Sequence, residues 1–506
     1  MHTLSRFFAL LLAGASVWAA EFQNGQAARA VIGQESFSAR DASITPTTLS
    51  ISNGRLYVAD SAHRLLTYDV TQVAGAKEEP PQRADSICAL CESAPIASVN
   101  QSVLPGVAAV SVVGRTVIIA DTQNRRVLIW RDSSAARAVR GPDVVLGHAN
   151  PDGGTISGAT LVEPLSVAYD GKRLFVGDGA LHRVLIWNSL PVSDTQPADA
   201  VLGQQNLTNS NKPEVAAPDT IDRPAALASD GTNLFVADAA LHRVLVFTPG
   251  DMPLANNAVL NSASFAPGPI APGTLITVSG NGLSETSESA PDEGEQPLPR
   301  VLGGVEVFLD GVSLPLLSVS PSQIRAQVPY ELGEASAASL YVRTQFSGGA
   351  IAISNATAVK LLPAAPGLFA FGGHEPRSGI VLHAGASQDE TGSPVTADNP
   401  AKPGEILTLW AAGLGLVDSG DNAGAVSAGT PYDGPAAPVQ VPVSARIDGR
   451  LAQVVAATLP HGAIGVYEVR VQVPYDLTAG RKAALVISQQ GQLSNAVTIP
   501  IENTIQ

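Results

Sequence analysis

The sequence predicts an all-β chain, with a small N-terminal β-propeller of about four blades followed by two tandem β-sandwich domains. Three observations carry this expectation. A strand–turn–strand segment is written four times in the first half: LYVADSAHRLLTY at 56–68, VIIADTQNRRVLIW at 117–130, LFVGDGALHRVLIW at 174–187 and LFVADAALHRVLVF at 234–247. A second, unrelated pattern is written twice beyond Asn257. Glycine (47) and proline (37) are spread through the 506 residues, while 45% of the chain is hydrophobic and 15% charged, so frequent turns coexist with ample core material.

In the first half the shared aspartate falls at Asp60, Asp121, Asp178 and Asp238, in steps of 61, 57 and 60 residues. A fixed period of this size marks a unit that cannot bury its own apolar face and must stack on its neighbours. Each unit opens on a proline (Pro46, Pro105, Pro164, Pro224) and closes on an aromatic residue (Tyr68, Trp130, Trp187, Phe247). Between them lie short apolar, β-branched runs separated by a Gly turn and then by the aspartate turn. Runs this short read as strands covered on both faces, as where each sheet stacks between two others. A further strand follows each unit: SICAL at 86–90, VVLGH at 144–148 and AVLGQ at 200–204. Its counterpart AVIGQ at 30–34 precedes the first unit, so residues 29–34 are expected to complete the fourth sheet and close a ring.

Asp60 precedes Arg64 by four residues, and Asp121, Asp178 and Asp238 precede Arg126, Arg183 and Arg243 by five. This spacing ends one strand on the acid and begins the next on the base. The structural reading is a turn aspartate that accepts backbone N–H groups and pairs with the arginine. The functional alternative is a ring of acids holding a cation at the channel mouth. Recurrence in every copy favours fold maintenance. His63, His182 and His242 occupy one motif position that Arg125 fills in the remaining copy, and a ring of metal ligands does not accept an arginine. Functional groups are therefore sought where the copies differ, as in the loops 149–163 and 205–223.

The second half is a duplication. APGTLITVSGNGL at 271–283 matches KPGEILTLWAAGL at 402–414, and VEVFLDG at 305–311 matches VSARIDG at 443–449. QVPYEL at 327–332 matches QVPYDL at 472–477, and SNAT at 354–357 matches SNAV at 494–497. Two domains of ordinary size follow, with short runs punctuated by Gly and Pro at β-sandwich spacing. Tyr330 and Tyr475 hold the same place in both copies, which points to packing rather than recognition. The stretch 284–299 carries Glu285, Glu288, Asp292, Glu293 and Glu295 without the spacing of a calcium loop, and reads as a solvated acidic segment. His374, His383 and His461 are scattered without partner spacing.

The fourfold motif resembles the NHL repeat, a propeller blade with the core VAD-x-x-N-H-R-[IV], over residues 29 to about 250. Only Asn124 fills the Asn position; Leu181 and Leu241 replace it, and the first copy is one residue shorter. The PG-x-x-[IL]-T and DG motifs of the second half resemble the immunoglobulin-like IPT/TIG fold. Together with NSASF at 261–265, QVPY, PAAPGLF at 363–369 and SNAV they resemble a C-terminal domain of secreted soil acidobacterial (Solibacter-type) proteins, often found behind NHL-type propellers. No activity is assigned to that domain. The resulting organisation is a leader at 1–19, an NHL-like propeller at 20–256, a first immunoglobulin-like domain at 257–363 and a second at 364–506.

Residues 1–19 have the form of a bacterial Sec-type signal peptide: Arg6, an apolar stretch from Phe7 to Val17, and Val17-Trp18-Ala19 before the cleavage point. A secreted or extracytoplasmic location is expected. That apolar stretch is too short to span a bilayer, and no later run reaches about 18 apolar residues. The formal net charge of −15 argues against nucleic acid and anionic lipid as partners. The two cysteines, Cys88 and Cys91, leave a local disulfide and two free thiols as open alternatives. The sequence lacks a G-x-S-x-G elbow, an H-E-x-x-H pair and a P-loop. No catalytic residue, cofactor or metal site is assigned. The expected function is a non-catalytic binding or adhesion protein that engages a protein or carbohydrate. The propeller would be its platform, and the tandem domains its stalk or second contact. The alternative is an extracellular propeller enzyme of lyase or lactonase type, with a site at the channel mouth, which the resemblance permits and fold alone does not license.

Overall fold

The computed structural model describes residues 20–62, 64–71, 94–95, 107–132, 141–147, 156–291, 296–384, 392–419, 426–477 and 482–502. Among them the regular structure is β throughout, apart from two single 3-10 turns at Thr122–Asn124 and Ala239–Leu241. The four copies of the repeat form four antiparallel four-stranded sheets. The first holds Pro46–Ser52, Arg55–Asp60, Arg64–Asp69 and Ala94–Pro95. The second holds Val107–Val113, Thr116–Asp121, Arg126–Trp130 and Val144–Gly147, and the third Pro164–Tyr169, Leu174–Asp178, Arg183–Trp187 and Ala200–Leu202. The fourth holds Pro224–Ser229, Leu234–Asp238 and Arg243–Phe247, and is completed by Ala30–Ile32 with Val31 opposite Leu245.

SICAL, with Cys88 and Cys91, and Pro105 lie outside the described residues; the strand paired to Arg64–Asp69 is Ala94–Pro95. By register, Val107 opposes Asp121 where Pro46, Pro164 and Pro224 oppose Asp60, Asp178 and Asp238. The opening position of the second copy is therefore Val107, not the proline two residues before it. All four first strands skip one residue directly after this position. The bulge belongs to the repeat, and proline suits a strand's first position.

Apolar clusters fill three spaces between sheets. Ile118 and Val127 of the second sheet cluster with Val176 and Leu185 of the third. Phe175 and Ile186 of the third cluster with Val236 and Leu245 of the fourth, and Phe235 and Val246 of the fourth with Leu56 and Val58 of the first. No such cluster joins the first sheet to the second among the described residues. Val110 is 54% exposed, although its counterparts Leu49, Val167 and Leu227 are buried. The reason lies in the facing surface. Where the fourth sheet offers Ala228 and Val246 to the first, the first sheet has Ser50 and Thr67 at the same register positions. The expected closure between first and second sheets is thus not made by a described apolar core.

The first duplicated domain has two sheets over one core that includes Val278, Ile324, Val307 and Leu340. One sheet runs Val259–Asn261, Leu275–Ser279, Gln323–Gln327, Leu316–Val319, Glu288–Ser289; the other is built on Val305–Leu309 and Ala337–Gln345. In the second domain the corresponding strands join one continuous eleven-stranded sheet, because Arg450–Leu459 pairs with strands of both layers. In the first domain that strand is broken into Val312–Ser313 and Leu316–Val319 around Pro315, which has no N–H for a ladder.

The N-terminal segment and the exit from the fourth sheet both run along the first duplicated domain. Ala27 bridges to Ala356, and Met252 to Ser354. Gly250 lies so close to Asn355 that a Cβ would fall 1.9 Å from its backbone nitrogen. Arg29 donates to the Ser354 carbonyl at 2.8 Å and lies 5.0 Å over the Tyr341 ring, which stacks on Phe308.

Candidate functional site

The Asp–Arg turns form the end of the sheets where chemistry would be most regular, and most of their polar capacity is already used. Asp60 Oδ1 accepts the N–H groups of Ala62 and Arg64, and the Arg64 guanidinium pairs with its other oxygen. Burial would raise this carboxyl, but the Arg64 side-chain and backbone hydrogen bonds outweigh it and hold the pKa low. Arg126 donates to Asp121 at 2.8 Å, and Arg243 to Asp238 at 3.1 Å. Asp178 accepts the N–H groups of Val162 and Glu163, and Asp238 those of Asp222 and Arg223. Burial nevertheless raises both carboxyls.

The arginines do more than pair. Arg183 donates to the carbonyls of Leu207, Ser157 and Thr160, and Arg243 to those of Phe37 and Thr220. Each clamps the loop before its own sheet to the loop after it. In the third copy this clamp replaces direct pairing, since no Arg183–Asp178 ion pair forms within bridging distance. The histidine position has a left-handed backbone, with φ of +54°, +52° and +54° at Arg125, His182 and His242. Its side chains stitch neighbouring sheets: His182 Nδ1 reaches Asp222 at 2.9 Å, and His242 Nδ1 meets Thr45 Oγ1 at 2.8 Å. His63 lies outside the described residues.

Two structural residues carried no signal beyond their motif. Gln34 and Gln204, each after the strand glycine, donate to the carbonyls of His242 and His182 and close a loop onto Asp41 and Asn211. The repetition of GQ was visible, but a glutamine's loop-closing role depends on where the chain returns.

At the opposite ends of the sheets lies a cavity of about 360 Å³. It is formed by the first-to-second-strand turns of the third and fourth sheets, the N-terminal segment and Ile353 of the first duplicated domain. Arg29, Lys172 and Arg173 line it together with Asp170, Asp251 and Thr232. Asp170 holds its turn by accepting the N–H groups of Lys172 and Arg173, as Asp230 does for Thr232 and Asn233. Arg173 then bridges the two turns, donating to Asp170 at 2.8 Å and to the Gly231 carbonyl at 2.7 Å, with its guanidinium over Phe22 and Phe175. Arg29 is almost wholly buried, and desolvation lowers its pKa to about 10. The copies differ here, with Lys172-Arg173 in one turn and Thr232-Asn233 in the next. The described part of the first of those loops, 156–163, and the loop 205–223 instead lie by the Asp–Arg end, where residues 157, 160, 207 and 220 are held by Arg183 and Arg243, while 149–155 lie outside the described residues.

Glu285 and Glu288 are exposed, while 292–295 lie outside the described residues. His383 pairs with Glu405 at 2.5 Å on the second duplicated domain. Among the described residues no three His, Cys, Asp or Glu side chains converge as a metal site, and no helix is long and apolar enough to cross a membrane.

No protein-family model matches the chain, and no curated protein is similar to it. Among solved structures it is similar to the fibronectin(III)-like modules of Clostridium thermocellum CbhA, with 13% identity, 48% of this chain and 93% of that chain covered, and a TM-score of 0.15. It is also similar to the computationally designed Ika8 protein, with 9% identity, 88% and 99% coverage, and a TM-score of 0.17. Scores this low carry no argument about fold or function.

Proposed function

We propose that the chain is a secreted or cell-surface, non-catalytic binding protein. Its four NHL-like sheets act as a small propeller platform, and its two immunoglobulin-like domains as stalk or second contact. The leader-like residues 1–19 support the location, and the fourfold register supports the propeller reading. The observation that carries the binding role is the junction cavity. It is concave, its walls rest on sheet turns locked by Asp170 and Asp230, and it places three cationic side chains against two carboxylates. Rigid scaffolds that present a few convergent polar groups in a pocket suit ligand orientation. The ligand class is a polar segment of carbohydrate or peptide rather than an apolar molecule, because the charged groups would be costly to desolvate without partners.

A glycan and peptide array probed with the full chain tests this. Binding is expected, and Lys172→Glu, which inverts one exposed wall charge, is expected to weaken it about ten-fold. Equal binding by the variant would remove the cavity from the reading, and silence on both arrays would remove the binding role.

A further inference from the structure

The two duplicated domains end in the same construction, and only one of these ends is covered. In the first domain Gly273 (φ +72°) lies beneath the Tyr330 ring, and Gln327 Nε2 donates to the Gly273 carbonyl at 3.3 Å. In the second, Gly404 (φ +83°) lies beneath the Tyr475 ring, and Gln472 Nε2 donates to the Gly404 carbonyl at 2.9 Å and to the Tyr475 hydroxyl at 3.3 Å. A side chain at either glycine would collide with the tyrosine, so the seat is built by design of the backbone. Tyr330 is 7% exposed, because the second domain sits on it. Gly429 N–H donates to Gln327 Oε1 at 2.6 Å, Gly465 lies against Gly273 and Gln327, and Tyr467, whose hydroxyl donates to the Gly415 carbonyl, lies beside Tyr330. Tyr475 is 77% exposed.

We propose that the Tyr475 end is a seat for the free end of the first duplicated domain of a second copy of this chain, giving head-to-tail association. The occupied seat shows what fits there: the turn end of a duplicated domain, with residues 426–434 and the 460–466 turn leading into Tyr467–Gln472. The chain offers one other end of that polarity among the described residues. It belongs to the first domain, where the 280–287 connection and the 320–322 turn lie at the opposite ends of the strands from Tyr330. That end is exposed and carries Glu285 and Glu288, whereas the Tyr475 seat is flanked by exposed Lys402 and Lys482 and by the Arg450–Asp476 pair. Seat and end are different surfaces, so the contact is heterologous and copies add in a line or a ring.

Sedimentation velocity of the full chain tests the proposal. A surface of one domain end predicts weak association, with mass rising between about 1 and 300 µM. Tyr475→Ser and, separately, Glu285→Lys with Glu288→Lys are each expected to weaken association at least ten-fold while the chain still unfolds cooperatively; Tyr475→Phe, which keeps the ring over Gly404 and loses only the hydrogen bond from Gln472, is expected to associate like the parent. A monomer across the whole range overturns the proposal, and so does association of the Tyr475→Ser variant equal to that of the parent. A species that stops at two copies and ignores the Glu285 and Glu288 changes means that two Tyr475 ends meet each other, which also overturns the head-to-tail arrangement. Array binding through the junction cavity is read separately and does not depend on this outcome.

Discussion

The repeated aspartate and arginine share one motif yet sit in two environments. The Arg64 side chain is 37% exposed, whereas the Arg243 and Asp238 side chains are wholly buried. Removing one partner of a buried pair leaves an uncompensated charge, at about 3–5 kcal/mol. Arg243→Met is therefore expected to lower unfolding stability in urea by about that much, and Arg64→Met by less, because solvent reaches the Arg64 side of its pair although Asp60 is buried. Similar losses for the two variants would show that burial does not govern these turns. Acid should separate the copies in another way. Asp60 is held below its ordinary value, so its contribution is present above the unfolded carboxyl range and is lost as pH falls through and below about 4. Asp178 and Asp238 are raised, so ionising them costs stability as pH rises, and acid relieves that cost. Asp60→Asn is thus expected to flatten the acid limb of a stability–pH curve, and Asp238→Asn to steepen it.

At the scale of elements, the duplicated SNA motif explains how each sandwich-like domain is tied to its incoming chain. Asn355 accepts the Leu254 N–H at 2.6 Å and donates to the Leu254 carbonyl at 3.0 Å; Asn495 does the same for Leu368 at 2.8 and 3.1 Å. One side-chain amide thereby satisfies both backbone groups of a residue 101 or 127 positions away. Asn355→Ala orphans two buried groups, at about 2–4 kcal/mol, while Asn495, which is only partly buried, should cost less. Chemical denaturation followed by tryptophan fluorescence checks the order. The SNAT and SNAV match was legible as duplication, but no local rule says which distant backbone an asparagine will clamp.

At the scale of the whole molecule, the buried contact between the duplicated domains rests on two tyrosines. Burial pushes Tyr330 up to about 12 and holds Tyr467 well above the ordinary phenol value. A phenol whose folded pKa is raised contributes stability below the unfolded value near 10, and that stability is lost as pH rises through the folded value. The thermal midpoint is expected to fall between pH 9 and 11.5, and Tyr330→Phe to reduce the fall; an unchanged pH slope in that variant would remove Tyr330 from the contact. Strand runs, the four aspartate turns, the N-terminal strand beside Arg243–Phe247 and the duplication were all readable in sequence, because hydrophobic period and turn chemistry are local properties. The equivalence of Tyr330 and Tyr475 suggested packing in both copies; both rings lie over a glycine, but only Tyr330 is buried, and Tyr475 stands 77% exposed. Their opposite exposures were decided by what docks on each, as were the missing apolar contact between first and second sheets and the charged cavity where two turns, the N-terminal segment and Ile353 meet. Sequence by itself determined which segments become strands and which residues hold their turns. Only the tertiary structure decided which of those identical surfaces are covered, because covering depends on contacts between residues hundreds of positions apart, whose geometry no local pattern encodes.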